Sequence, residues 1–351
     1  MAIIFLLLMV FGMLAIPLIP SLVELRVKSD AQPLSVIQAH AGEIRHFASG
    51  FRTYISALHE ALQQCTKTGT TAHGVLPDGC EYLIWGKPSK LPDIPTKHKV
   101  CDLVIVAGAE FVTPGSIVFN REIYAAENFF GGEGNTYRAI LGEKNIHLGP
   151  KSQAMRWIHT NGDFSAEHDC ELYARVSADG TIRLGEDTQF MRLNAPRIEL
   201  GLLPLAEKLP IESQTFVNTE PRIVHRLLCE GDYEIGAGEI VSGSVVARGR
   251  LLIRTGAHVY GSAKSHHEMI LEEGVTVGGS LISASKMHIG SNCAVHGPII
   301  AEREIKIATG TRCGTSTLPT TISSLRVLVQ EGVVAYGTLW ARESGRIVAE
   351  L

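Results

Sequence analysis

A chain of 351 residues, 45% hydrophobic and with a formal net charge of −4, is long enough for two core-bearing units and lies outside the disordered class. Aromatics make up only 6%, and Lys and Arg are spread along the chain without a basic stripe, so no nucleic acid partner is indicated. Seven cysteines, an odd number with no CxxC spacing, point to a reducing compartment.

Residues 2–23 carry no charged side chain. At 1.5 Å per residue such a helix crosses a hydrocarbon core of about 30 Å, and the absence of a basic start or an A-x-A site argues against a cleaved leader. This predicts a single transmembrane helix, ended or kinked by Pro17 and Pro20. Arg26 and Lys28 follow it directly, which places the bulk of the chain in the cytoplasm.

Over 35–65, Ile37, Ile44, Phe51 and Leu58 recur seven apart, with Phe47, Ile55 and Leu62 on the same side. The pattern predicts an amphipathic helix with Ser35 as N-cap and Gly69 beyond its end. Its apolar side packs on its own domain or serves as a short coiled-coil or membrane-surface contact. Residues 66–100, with Pro77, Pro88, Pro92 and Pro95, read as a connector holding at most a short strand around Tyr82–Trp85.

From Ile235 to Ile307 the chain repeats every 18 residues. Ile235, Ile253, Leu271, Ile289 and Ile307 head successive rows; six positions on come Val241, Val259, Val277, Val295 and Cys313. Ten on come Val245, Ala263, Leu281 and Ile299, and sixteen on come Leu251, Met269, Met287 and Ile305. Offset twelve is always small: Ala247, Ser265, Ser283, Ala301. Apolar or small residues therefore fall in pairs two apart, the spacing of one strand face. Three such pairs per repeat describe a triangular β-solenoid, a mainly β fold.

Two columns mark corners. Gly243, Gly261, Gly279 and Gly297 form one; Gly238, Gly256, Gly274, Asn292 and Gly310 form the other, where the single Asn signals positive φ. The third corner (Arg248-Gly249, His266-His267, Ala284-Ser285, Glu302-Arg303) is irregular and the cheapest place for an insertion. Arg250, Glu268, Lys286 and Glu304 alternate in sign at offset fifteen, as expected of stacked coils.

A looser solenoid occupies 101–201. Ile146, Phe164 and Ile182 are 18 apart, as are Ala154, Leu172 and Phe190, and Ile198 and Leu200 continue after 16 residues. Trp157 and Phe164 suggest a wider core there. Residues 202–231, with Pro204, Pro210 and Pro221, are either a bulge in one continuous solenoid or the joint between two. The regular block runs over 232–317. The tail, 318–351, resumes alternation at Leu325, Val327 and Val329 after a 22-residue step, as a terminal cap.

The motif from Leu251 onward resembles the bactofilin domain of bacterial polymer-forming cytoskeletal proteins. It consists of an apolar pair (Leu251, Ile253), a Gly turn (Gly256), an apolar-x-Gly step (Val259, Gly261) and a small residue (Ala263, Ser265), recurring to Gly314. The resemblance is clear over 232–315, weaker over 101–201, and does not cover the helix. It implies a right-handed β-helix that polymerises with itself without nucleotide or other cofactor. It further implies a non-catalytic scaffold at the bacterial inner membrane, serving envelope or polysaccharide-synthesis proteins. The membrane helix, the second block and the tail are departures from the family pattern.

Exposed rims of a solenoid invite pairing, and a lateral strip adds a second surface: Val246, Ile282 and Ile300 at offset eleven, with Lys264, and Leu252 and Ile270 at offset seventeen. The strip marks either self-association or an intramolecular contact with 101–231. An alternative class is the β-helix acyltransferase of the hexapeptide-repeat kind, with His266, His267 and His296 as candidate bases, although no carboxylate is placed to orient them. A polysaccharide-binding β-helix needs clustered carboxylates or aromatics on one face, and the regular block has only Tyr260. The adjacent His266 and His267 are weak as metal ligands.

Overall fold

The computed structural model describes residues 9, 44–87, 89–90, 98–201 and 226–351. The chain divides into two compact units, 1–46 and 47–351. In the first unit the expected membrane helix lies, Met9 aside, outside the described residues. Among those described, no helix is long and apolar enough to cross a membrane.

The second unit is a β-solenoid of about 13 turns with roughly 18 residues per turn. In the regular block each coil carries three short strands, such as Leu251–Ile253, His258–Val259 and Ala263–Ser265. As far as Cys313 each strand pairs in parallel with the one 18 residues before it, so identical offsets stack. Ile235, Ile253, Leu271, Ile289 and Ile307 are successive register partners, all fully buried. Val241, Val259, Val277, Val295 and Cys313 form a second buried column. Alternation puts one residue inward and the next outward, and each inward aliphatic contributes about 1.5–3 kcal/mol of burial.

The corners follow two different rules. Gly238, Gly256, Gly274, Asn292 and Gly310 all have positive φ, with Asn292 at 55°, as its place in a glycine column requires. Gly261, Gly279 and Gly297 do not. Their column is steric: a Cβ on Gly279 would lie 2.7 Å from the carbonyl carbon of Gly261 in the coil below. The insertion falls elsewhere than expected. Ile299 pairs with Ile322, and the extra residues sit around Gly314–Pro319, at the corner after Cys313 and not at the irregular third corner. There the chain leaves the ladder in a turn closed by the Thr315 N–H on the Leu318 carbonyl, and pairing resumes with Ile299 on Ile322 and continues with Ile305 on Val327.

The first block starts earlier than residue 101. The strand Glu81–Trp85 pairs in parallel with Val104–Ala107, and Thr71–Val75 pairs antiparallel with it as an edge hairpin. Ile146, Phe164 and Ile182 stack in register, as do Ala154, Leu172 and Phe190, and Ile198 pairs with Ile182. Phe111, Phe119, Phe129, Tyr137 and Phe164 fill this wider interior. Trp157 does not join them. It points outward and meets Phe51 edge-on at 5.9 Å.

Phe51 belongs to α1 (His46–Tyr54), which a 3₁₀ turn at Ser56–Leu58 separates from α2 (His59–Thr68). The expected single helix is thus two, and Gly69 in the left-handed conformation closes the second. Phe51, Ile55, Leu58 and Leu62 cover the outward residues Ile84, Val104, Val106, Tyr124 and Leu141, so the apolar side packs on its own domain. The bidentate Arg52–Glu143 pair adds a polar clasp at 3.0 Å for each bond. Phe47 departs from the expected apolar side and is 47% exposed.

The two blocks meet tail to tail. The last strand, Val333–Val348, pairs in parallel with Thr320–Gln330 and antiparallel with Gln189–Leu200, the last strand of the first block. That pairing runs around all three sides: Val334 with Glu199, Leu339 with Leu193, Arg346 with Gln189. The tail expected to be a cap is therefore the hydrogen-bonded joint. The chain leaves the first block at this joint and re-enters at Arg226–Cys229, the opposite end of the regular block.

Candidate association surfaces

Because the regular block is closed at its last coil, its open edge is the first one. Arg226–Cys229, Tyr233–Ile235 and Ile240–Val241 each pair on one side only among the described residues. On their other side no strand lies among the described residues, and N–H and C=O groups at such an edge seek partners. Leu228 is 53% and Ile240 44% exposed beside this edge, high values for aliphatics in strands. Tyr233, Leu252 and Ile270 line a shallow groove behind it, rimmed by Asp232, Arg250 and Glu268.

Charge at this edge is ordered by stacking. Arg248 pairs with Glu230, Arg250 with Asp232, and Arg254 bridges Glu234 and Glu272. Hydrogen bonds from the Arg250 backbone and guanidinium hold the Asp232 carboxyl below its ordinary range, and Arg254 does the same for Glu272. In the alternating column, register neighbours Lys286 and Glu304 stack, and Glu304 meets Arg326 at 3.3 Å.

The lateral strip divides. Val246, Ile282 and Ile300 lie on one face of the prism and Leu252 and Ile270 on the next, because the third corner falls between offsets eleven and seventeen. Val246 is buried, and Lys264 separates it from Ile282 in the column. On the first face Ile282 and Ile300, 36% and 42% exposed, remain an adjacent apolar pair, and Leu252 and Ile270 form another on the next. Gly243, Gly261, Gly279 and Gly297 stack at a corner, each N–H from Gly261 onward on the carbonyl of the glycine one coil before.

His266 and His267 are exposed on the third corner, while His296 sits two coils from His258 on another face. Among the described residues no side chain hydrogen-bonds the ring of His266, His267 or His296, and no group of His, Cys, Asp or Glu could hold a metal ion. Burial, and secondarily His296, lowers the His258 pKa. One constellation was not anticipated from the sequence: His147 Nδ1 lies 2.8 Å from Ser165 Oγ and its Nε2 3.0 Å from Glu167. His147 and Ser165 are 18 apart and adjacent in register, so the period itself was the signal. These side chains lie on a flat, half-exposed sheet and form a surface ladder.

A long parallel solenoid of about 13 turns defines a β-solenoid repeat protein. Against known protein families, curated proteins and solved structures, the chain matches none.

Proposed function

We propose that this chain is a self-associating structural scaffold of the bactofilin kind, held at a bacterial inner membrane by residues 2–23, with its bulk in the cytoplasm and no catalysis of its own. The supporting observation is the asymmetry of the regular block: its last coil is consumed by the joint, while its first coil, among the described residues, pairs on one side only, with Leu228 and Ile240 exposed. A second copy, rotated by a two-fold axis, satisfies that rim by antiparallel pairing and buries both aliphatics. Envelope or polysaccharide-synthesis proteins are the partners such a scaffold would position.

Sedimentation of the full chain in mild detergent tests this. Mass should rise with concentration, and Leu228→Lys with Ile240→Lys should abolish the rise while leaving the circular dichroism unchanged. A species that stays monomeric at every concentration refutes the proposal.

A further inference from the structure

The outward column that holds Ile282 and Ile300 does not stop at the regular block. Across the joint it continues through register partners Ser323, Trp340, Arg192, Arg175 and Trp157. In the other direction it passes Lys264 and Val246 to Leu228. At about 4.8 Å per strand this is one straight row of roughly 40 Å on a single face. No member of it is acidic.

Among the described residues the cations in this row lack an ion-pair partner, as do Arg121, Arg303 and Arg312 elsewhere, and what sets two of them apart is their placement. Arg183, Arg248, Arg250 and Arg254 are each paired with a carboxylate. Among the described residues Arg175, Arg192 and Lys264 have no such partner, and neither has Arg156 beside them. Arg175 and Arg192 instead stand next to each other in register, each over an aromatic ring: Arg175 at 5.6 Å from Phe47, Arg192 at 5.1 Å from Trp340. Two adjacent guanidiniums without a counter-charge repel, and an anion between them removes the cost.

The apolar neighbours are equally out of place. Phe47, Met155, Tyr173 and Trp340 are 47%, 50%, 48% and 40% exposed. Phe47, Met155 and Arg156 line one shallow hollow with Arg175. Tyr173 follows Leu172, the register partner of Ala154, so it stands beside Met155 on the neighbouring coil. Exposed Trp, Tyr, Phe and Met around unpaired Arg, on a flat sheet of a chain whose net charge is −4, is the composition of a membrane–water interface.

We propose that this face, beside the α1–α2 pair that stands on its Trp157 end, docks on an anionic lipid bilayer, with Arg175 and Arg192 sharing headgroup phosphates and Phe47, Met155, Tyr173 and Trp340 entering the interfacial layer. The inference rests on the membrane part of the proposed function and adds an orientation: the face that carries Arg192 and Trp340 turns toward the bilayer. Lys264, Ile282 and Ile300 extend the same contact across the joint.

The test uses the full chain in nanodiscs of phosphatidylcholine alone or with phosphatidylglycerol, with a bromine- or doxyl-labelled lipid as quencher. Trp85 and Trp157 are 8% and 9% exposed, so the difference between the native chain and Trp340→Phe isolates the Trp340 signal. Trp340 should be quenched in anionic discs, not in neutral ones, and quenching should fall as salt rises. Arg175→Gln with Arg192→Gln should lower the docked-to-free ratio about 30-fold, with co-migration of protein and disc retained. Co-migration without Trp340 quenching overturns the docking proposal and leaves the membrane anchor standing. Failure to co-migrate with either disc overturns both. Quenching that is equal in neutral and anionic discs removes the role of the arginines and overturns the proposal. Retention of a polyuridylate RNA as strong as that of anionic discs likewise overturns it, in favour of a general polyanion site.

Discussion

Val277→Asp puts the stacking of identical offsets under direct load. Val277 is fully buried between its register partners Val259 and Val295, and the inward column holds no polar side chain to meet a carboxyl. Losing the valine costs about 1.5–3 kcal/mol of burial, and leaving even a neutral carboxyl unpartnered adds about 1–3 kcal/mol. The sum is about 2.5–6 kcal/mol at a pH where the group stays protonated. Burial raises the folded pKa above the ordinary 3.9 or so, so the variant is least damaged below that pH. Each pH unit above it costs about 1.4 kcal/mol more, up to the folded pKa. The adjacent Thr276 points outward, and Thr276→Asp should stay within about 1 kcal/mol of the native chain. Urea unfolding at pH 4 and pH 8, followed by circular dichroism, reads both. Equal tolerance of the two substitutions, or a Val277→Asp penalty that shrinks as pH rises, would refute the register.

Asn292 sits at φ 55° in a column otherwise made of glycine, so Asn292→Gly should be nearly neutral while Asn292→Val costs about 1–3 kcal/mol in thermal unfolding. A Cβ on Gly345 would meet the Phe190 ring at 2.3 Å across the joint. Gly345→Val should therefore raise hydrogen exchange in 189–200 and 333–348 while the coils around Leu271 stay protected. Burial pushes the thiols of Cys313 up to about 12 and of Cys170 and Cys293 up to about 11. These three should resist a thiol reagent at pH 8, where the part-buried Cys80 and Cys229 are labelled first.

Much of the regular block could be read from residue types because the repeat is strict: a column such as Ile253, Leu271, Ile289 admits one register. The first block was legible only in part. Bulges between Ala154 and Trp157, and between Leu172 and Arg175, shift its period, and an outward Trp157 looks the same in sequence as an inward one. Whether Trp157 faces in or out depends on α1, which packs from outside. The joint was hidden for a different reason. Antiparallel pairing of Gln189–Leu200 with Val333–Val348 joins segments over a hundred residues apart, and no period connects them. The cationic face was invisible as well, since Arg175, Arg192 and Lys264 become neighbours in one row only after the blocks are set tail to tail. The lateral strip failed on geometry, because offsets eleven and seventeen look close on paper and turn a corner in space.

Electron microscopy of the purified full chain tests the scaffold reading most directly. About 13 turns at roughly 4.8 Å make a solenoid of about 60 Å. Two-fold assembly through the open rim predicts rods about twice this length, which shorten to single solenoids when Leu228 and Ile240 are both replaced by lysine. Native particles that are all single solenoids at every concentration would contradict it.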